Sequence, residues 1–530
     1  MVGTDYGRQC EFLLNNVKRE LGFTHFESII RRLSASSAFA EWSLVVLLVV
    51  LGTVLRLPNL GESLWLDEVI YSTNYIFSSL SDLWYYFLHE PSAPLYRTFM
   101  FFWVHMFGEH ELSVRMPPLV FGLSSIVLTY WIAATYGSRR MALLAAVLLC
   151  FSPVHVWYSQ EATPYAMTLC FLLATIWAWL QLKATPSHQG WYAVYLSMFL
   201  VTVFTHYYAA VFLLSFTLLS LAAGQPLRRR LMVAQGVVLS CLVCALSTKY
   251  LLGDYGLAGA PFLRRFTLFE WWMLFFNWFL HGNALWTVTP YRMAAMGVTY
   301  LWREPLLLLC QIGFLAIFLR GLGPTRGRKR WTQTWELGLF LVTLPVVMLV
   351  LTQAGYSHLY IERYLVLLLP FFLIVMARGV ASFANTRMVI ACAIMVLSVG
   401  AASYGALLYK DDTWTVYKPN PDWRSASRYL TTESGGANKA DIVVVQPSDD
   451  LKYYLHRVAP GAPPKVINYD PRTFLRVLSG DGVRAFHLVK NEYAAGGFDA
   501  VLQGLKHDQR FLLANTHAFK GVEVYTFRFQ

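Results

Sequence analysis

The chain has 530 residues, 56% of them hydrophobic and only 14% charged, with a formal net charge of +12. No soluble domain of that length is so apolar, so the composition describes a polytopic membrane protein and excludes a water-soluble enzyme. The positive balance does not point to nucleic acid: much of it sits in short loops between apolar runs, and no basic patch is interleaved with exposed aromatics.

Residues 1–37 are polar and basic, with Lys18, Arg19, Arg31 and Arg32, and read as a cytoplasmic lead-in. The first span is Ala38–Leu57. It delivers Glu62–Pro94 to the outer side, with the adjacent acids Asp67 and Glu68 and a further acid, Glu90. Acids are scarce in so apolar a chain, and at a membrane boundary they are costly unless they face water, a metal or a substrate. Pro94–Phe107 is apolar but only about 14 residues long and contains Arg97 and His105, which predicts an interfacial helix rather than a span.

Further spans are predicted at Met116–Thr135, Met141–Trp157, Pro164–Leu182, Trp191–Thr205, Tyr207–Ala223 and Leu231–Leu246. Four more follow at Pro305–Leu319, Trp335–Thr352, Tyr364–Met376 and Met388–Leu408, for about eleven in all. On this count the loops carrying Arg139-Arg140, Arg228-Arg229-Arg230 and Arg326–Arg330 share one side, which is cytoplasmic by the positive-inside rule. The outer side receives loops 58–115 and 247–304, the turn Tyr158–Thr163, the His206 turn and everything after about residue 409. Phe266–Leu280, rich in Trp and Phe, predicts a helix lying in the outer interface, with a twelfth span as the alternative. Cys241 and Cys244 have CxxC spacing inside an apolar run with no second pair, which is packing rather than zinc chemistry.

From Pro419 the composition shifts. Short apolar strands at Asp441–Val445, Lys465–Tyr469, Ala485–Val489 and Val522–Phe527 alternate with helical patterns at Trp423–Thr431 and Asp450–Arg457. They predict a small soluble α/β domain over 409–530 with a partly parallel sheet. The expected organisation is a cytoplasmic segment 1–37, a mainly α-helical membrane domain 38–408 and this outer domain.

The candidate catalytic acids are Asp67, Glu68 and Glu161, the last in the turn Tyr158-Ser159-Gln160-Glu161. Glu90 and His206 lie on the same outer face and could ligate a divalent cation, or His206 could simply anchor a helix end. Arg363 and Tyr364 at the start of a span, with Lys249, Arg264 and Arg265 in the long outer loop, are candidates for gripping a lipid phosphate. For these cations the plainer reading is snorkelling to the interface.

The runs Ser63-Leu64-Trp65-Leu66-Asp67-Glu68, Pro94-Leu95-Tyr96, Arg115-Met116-Pro117, Ser152-Pro153 to Ala162, and His206-Tyr207-Tyr208 together resemble the GT-C glycosyltransferases. The resemblance is to the protein O-mannosyltransferases and lipid A aminoarabinose transferases of glycosyltransferase family 39 type. It implies a GT-C fold and a polyprenyl-phosphate-linked sugar donor. It also implies inverting transfer to a glycan, lipid or protein acceptor on the extracytoplasmic side, in what is expected to be a bacterial inner membrane. By carry-over Asp67 is the catalytic carboxylate, Glu161 the second-site acid, and Glu90 a loop acid near the lipid phosphate or a metal. Position 91 is Pro, where the aminoarabinose enzymes place a phosphate-binding Lys, and Thr163 stands where many relatives have Arg. The rival functions are a transporter or flippase of lipid-linked sugars and a non-catalytic subunit of a glycan assembly complex. A transporter more often shows mid-span charges and related halves, which this sequence lacks.

Overall fold

The computed structural model describes residues 42–75, 77–253, 263, 265–282, 305–323, 328–356, 359–408, 420–433, 442–445, 449–460, 464–468, 485–491 and 497–530. The expected segment 1–37 and Arg264 lie outside the described residues. The chain divides into a unit of residues 1–52 and a unit of residues 53–530, and the candidate site lies wholly within the second.

Each predicted span coincides with a helix or a pair of helices, but the count of eleven is not reached. Among the described residues seven helices are long and apolar enough to cross a membrane, or eight with one bent pair taken as a single span. They are Glu111–Tyr136, Tyr165–Ala184, Gln225–Leu252, Pro305–Leu322, Thr332–Gln353, Glu362–Ala381 and Thr386–Gly405. The bent pair is Arg139–Phe151 and Pro153–Gln160, which meet at 58°. Ser152 ends one helix and caps the next, and Pro153 has no N–H to continue the ladder. The remaining apolar helices are shorter. Trp42–Arg56 and Tyr207–Leu221 fall in the 10–17-residue class, and Gln189–Thr205 has 17 residues. At 1.5 Å per residue, 15 residues reach only ~22 Å of a ~30 Å hydrocarbon core.

Before the membrane bundle proper come three short helices: α1 (Leu66–Ser72), α2 (Leu80–His89) and α3 (Leu95–Phe107). Ser79 and Asp82 form a capping box that starts α2. α3 has 13 residues, matching the predicted interfacial helix in length. Leu268–Met273 is helical and runs into a π-turn over Leu274–Trp278. Its second half is buried in protein rather than laid in an interface: Phe275 stacks on Phe372 at 5.5 Å, and Phe276 meets Phe318 at 5.7 Å. Two long helices cross where Gly321 faces Val375 and Gly379 faces Ile317. A Cβ on either glycine would run into the opposing backbone carbonyl, so small residues set the close approach.

The C-terminal domain holds a five-stranded sheet of β1 (Ile442–Val445), β2 (Lys465–Asn468), β3 (Ala485–Asn491), β4 (Phe511–Phe519) and β5 (Val522–Phe529), in the order β2-β1-β3-β5-β4. β1 runs parallel to β2 and β3, whereas β5 runs antiparallel to β3 and β4. β4 was not foreseen: most of its residues are exposed, so it lacks the buried alternation that marks a strand. Alternate residues feed two cores. Val444, Phe486, Leu488 and Phe527 pack with Phe498, Leu502 and Leu505 of the helix Gly497–His507. Val443, Val489 and Val524 join Trp423, Leu451, Tyr453 and Tyr454, and this second core runs on without a break into Leu64, Val69, Tyr96, Met100 and Val114. The C-terminal domain and the loops carrying the candidate acids therefore share one apolar core.

Candidate active site

Asp67 and Glu68 are consecutive in the first turn of α1, and successive helical side chains do not share a face. The structure separates them accordingly. Asp67 Oδ2 accepts a hydrogen bond from Arg363 Nη1 at 2.6 Å, with both side chains partly exposed. Glu68 turns inward and is fully buried. Its Oε1 accepts from Arg115 Nε (2.8 Å) and the Ala162 N–H (2.9 Å). Its Oε2 accepts from Arg115 Nη2 (2.6 Å), Asn420 Nδ2 (3.1 Å) and the Trp65 N–H (3.3 Å).

Arg115 extends this clasp. Its Nη1 donates to the carbonyls of Leu60 (2.9 Å) and Glu62 (2.7 Å), and its Nη2 to that of Ser63 (3.2 Å). Ser72 Oγ donates to the Ala162 carbonyl at 2.7 Å, so both ends of α1 are tied to the turn that carries Glu161. The C-terminal domain closes the same loop from outside. Tyr454 OH accepts from the Leu64 N–H (2.7 Å) and donates to Glu111 Oε1 (2.9 Å). Arg424 donates to the Gly61 carbonyl (2.7 Å), and Lys520 pairs with Glu62 (3.0 Å).

Around the Asp67–Arg363 pair stands an aromatic wall. The Arg363 guanidinium lies 5.9 Å from the Trp65 ring and 5.8 Å from the Tyr165 ring. Tyr364 lies 5.0 Å from His206, 4.7 Å from Tyr208 and 6.3 Å from Tyr165. His206 Nδ1 accepts the Tyr208 N–H at 3.3 Å. Burial, with Arg363 adding to it, pushes the His206 imidazole down to about 4, so it is neutral at pH 7. Glu161 is 95% buried by its 5% exposure, and its Oε2 accepts from Trp157 Nε1 at 2.6 Å while Oε1 has no partner among the described residues. Burial first, then the charges of Glu68 and Asp67 against the opposing effect of Arg363, pushes its carboxyl up to about 8.

Lys249 belongs to a second locus. It lies inside the helix Gln225–Leu252 rather than in the loop expected for it. Its ammonium donates to the carbonyls of Glu90 (2.7 Å) and Ser92 (2.9 Å) and lies 5.0 Å from the Phe87 ring and 5.3 Å from the Tyr207 ring. A largely apolar cavity of about 410 Å³ opens here, lined by Pro91, Tyr207, Leu246, Tyr250 and Leu251 among others. The amine thus reaches the loop where Pro91 stands in place of a lysine. Arg265 is exposed. Among the described residues no three His, Cys, Asp or Glu side chains come together as a metal would require. Among them, Glu90 and His206 are not joined by a third such ligand.

Arg97, Trp65 and Tyr165 were not among the candidate site residues. Arg97 is buried, with its guanidinium 4.8 Å from the Tyr71 ring and 5.0 Å from the Tyr86 ring. The signal was present: a charge inside an apolar helix marks a site more often than a boundary.

The fold is that of the GT-C membrane glycosyltransferases: a mostly helical, polytopic bundle with a small C-terminal sheet domain. Residues 90–250 match the family model described as dolichyl-phosphate-mannose-protein mannosyltransferase. The chain is similar in structure to ArnT from Cupriavidus metallidurans in the apo state, with a TM-score of 0.55 at 13% identity, covering 93% of this chain and 98% of that one. It is similar to the same protein bound to undecaprenyl phosphate, with a TM-score of 0.54 at 14% identity over 91% and 97% of the two chains. A third similar structure is the archaeal oligosaccharyltransferase AglB from Archaeoglobus fulgidus, in complex with an inhibitory peptide and a dolichol-phosphate. Its TM-score is 0.50 at 13% identity, over 85% of this chain and 69% of that one. No curated protein matches the sequence closely enough to serve as a relative.

Proposed function

We propose that this chain is an integral membrane glycosyltransferase that moves a sugar from a polyprenyl-phosphate-linked donor to an acceptor hydroxyl on the extracytoplasmic side. The observation that carries the reading is the partly exposed Asp67–Arg363 pair, held in place by a buried clasp and walled by aromatic rings. Support comes from the mannosyltransferase family model and from two similar structures that hold a polyprenyl phosphate.

In this reading Asp67 is the general base. Arg363 fixes Oδ2, leaving Oδ1 to accept the proton of the acceptor hydroxyl. The acceptor oxygen forms a bond to the anomeric carbon as the bond from that carbon to the phosphate oxygen breaks. The electron pair leaves with the phosphate, and the configuration inverts. The leaving group already carries negative charge, so cations rather than an acid must steady it. Lys249, which lines an apolar cavity and already reaches the carbonyls of Glu90 and Ser92, is the cation proposed to meet a lipid phosphate, while Arg363 stays on Asp67.

The test is transfer by purified protein from polyprenyl-phosphate-linked mannose to a labelled acceptor. Asp67→Asn is expected to lose about 10²–10⁴-fold in rate while keeping its fold. Near-parental rates in Asp67→Asn would rule out Asp67 as the base.

A further inference from the structure

Beside Trp65 lies a small recess of about 20 Å³. Trp65 and Trp157 line it, with Glu161, Asn420, Glu62 and the buried Glu68–Arg115 pair among the polar and charged residues around them. Its volume admits one water-sized group. Two of its lining residues carry buried polar atoms with no partner among the described residues: Nε1 of Trp65 and Oε1 of Glu161. Buried polar atoms are nearly always satisfied, so two orphans lining one recess call for a ligand that supplies both bonds. Aromatic walls with a few fixed polar groups are a common way to seat a small molecule and choose among its substituents.

We propose that this recess is a subsite for one hydroxyl of the donor sugar, read by the Trp65 indole N–H and by Glu161 Oε1, and that it selects a sugar bearing a free hydroxyl at that carbon. The proposal rests on the glycosyl-transfer reading above. Trp65 joins the two places: its ring faces the Arg363 guanidinium at 5.9 Å and also lines the recess, two residues before Asp67.

The chemistry discriminates. A hydroxyl both donates and accepts, whereas an indole N–H only donates. The sugar oxygen can take the Trp65 hydrogen in either state of Glu161: it gives its own hydrogen to an ionised Oε1 or accepts one from a protonated Oε1. With Glu161 pushed up to about 8, the carboxyl is mostly neutral at pH 7. An acetamido group exceeds a space that holds a single water-sized group.

The experiment measures binding to purified full-length protein in detergent. The probes are polyprenyl-phosphate-linked mannose, its monodeoxy analogues and bare polyprenyl phosphate. One deoxy analogue is expected to bind about tenfold more weakly than the parent donor, the usual consequence of leaving buried polar groups unpaired. Trp65→Phe keeps a ring but removes the N–H, and should bring the parent and that deoxy donor within about threefold. The proposal is overturned if every analogue binds like the parent, if the mannosyl donor binds no better than bare polyprenyl phosphate, or if folded Trp65→Phe keeps the discrimination. The analogue series with the unmodified protein decides the matter even where Trp65→Phe does not fold. Binding rather than turnover is read, so absence of transfer from every donor would overturn the transferase reading while these outcomes still stand.

Discussion

Glu68→Gln separates a structural acid from a chemical one. A carboxylate offers about four lone-pair positions, and Glu68 receives five N–H groups: two from Arg115 and one each from Ala162, Asn420 and Trp65. Nothing is left over for a substrate. Gln has nearly the same shape but replaces one oxygen with an NH2 group. Whichever way the amide turns, that NH2 faces at least two donors, and Arg115 loses its buried counter-charge. Removing one partner of a buried ion pair costs about 3–5 kcal/mol, a large part of the ~5–15 kcal/mol that holds an ordinary domain. Glu68→Gln should therefore melt at a clearly lower temperature in detergent. Per folded molecule its transfer rate should fall less than about tenfold, because the Asp67–Arg363 pair does not depend on the Glu68 charge. The assay is a thermal melt beside a transfer rate normalised to folded protein, with Asp67→Asn as the comparison. A Glu68→Gln protein that melts with the parent yet loses about 10²-fold or more in rate would place Glu68 in the chemistry and refute the argument.

Three other outcomes are expected. Arg363→Lys should lower transfer by about tenfold or more, since Lys cannot reproduce the planar fork and a charged hydrogen bond is worth ~1.5–3 kcal/mol; unchanged kinetics would leave the guanidinium without a role. A reporter fused after Gln530 should read extracytoplasmic and one inserted in Arg326–Arg330 cytoplasmic, and the opposite result would set the proposed sidedness aside. Glu161 has a carboxyl near 4.5 when unfolded and about 8 when folded, so the native state holds its proton more tightly. The stability from that proton is complete below about pH 4.5 and is lost as the pH rises through about 8. Glu161→Gln should consequently melt close to the parent at pH 5 and above it at pH 9; parallel melting curves across that range would contradict the burial argument.

Some of the site was legible in the sequence for sound reasons. Asp67 stood out as an acid just beyond an apolar run, and Arg363 as a cation opening a late one. Their meeting across 296 positions was not legible, because no local pattern encodes it. Glu68 was grouped with Asp67 by adjacency, yet consecutive helical residues diverge by about 100° and took different environments. Lys249 was noticed for its charge, but it acts from within a helix and not from a loop. In the C-terminal domain the strands with buried alternation were found, while exposed β4 was not. The span count was read from apolar runs alone, and the composition of a run does not show whether its helix will end after 15 to 17 residues, short of a membrane's thickness.

The latch between Asn420, Arg424, Tyr454, Lys520 and the loop 59–64 bears on how the protein comes into being. The loop that carries Asp67 is translated well before the residues that fasten it: Glu68 and Asn420 are 352 positions apart, and Leu64 and Tyr454 390. Until the C-terminal domain is made, Glu68 lacks the Asn420 hydrogen bond and Leu64 lacks its tyrosine. The candidate site is therefore fastened only when that domain docks onto the loop. A chain stopped at the end of the membrane helices would have the bundle built and the loop 59–64 still unlatched.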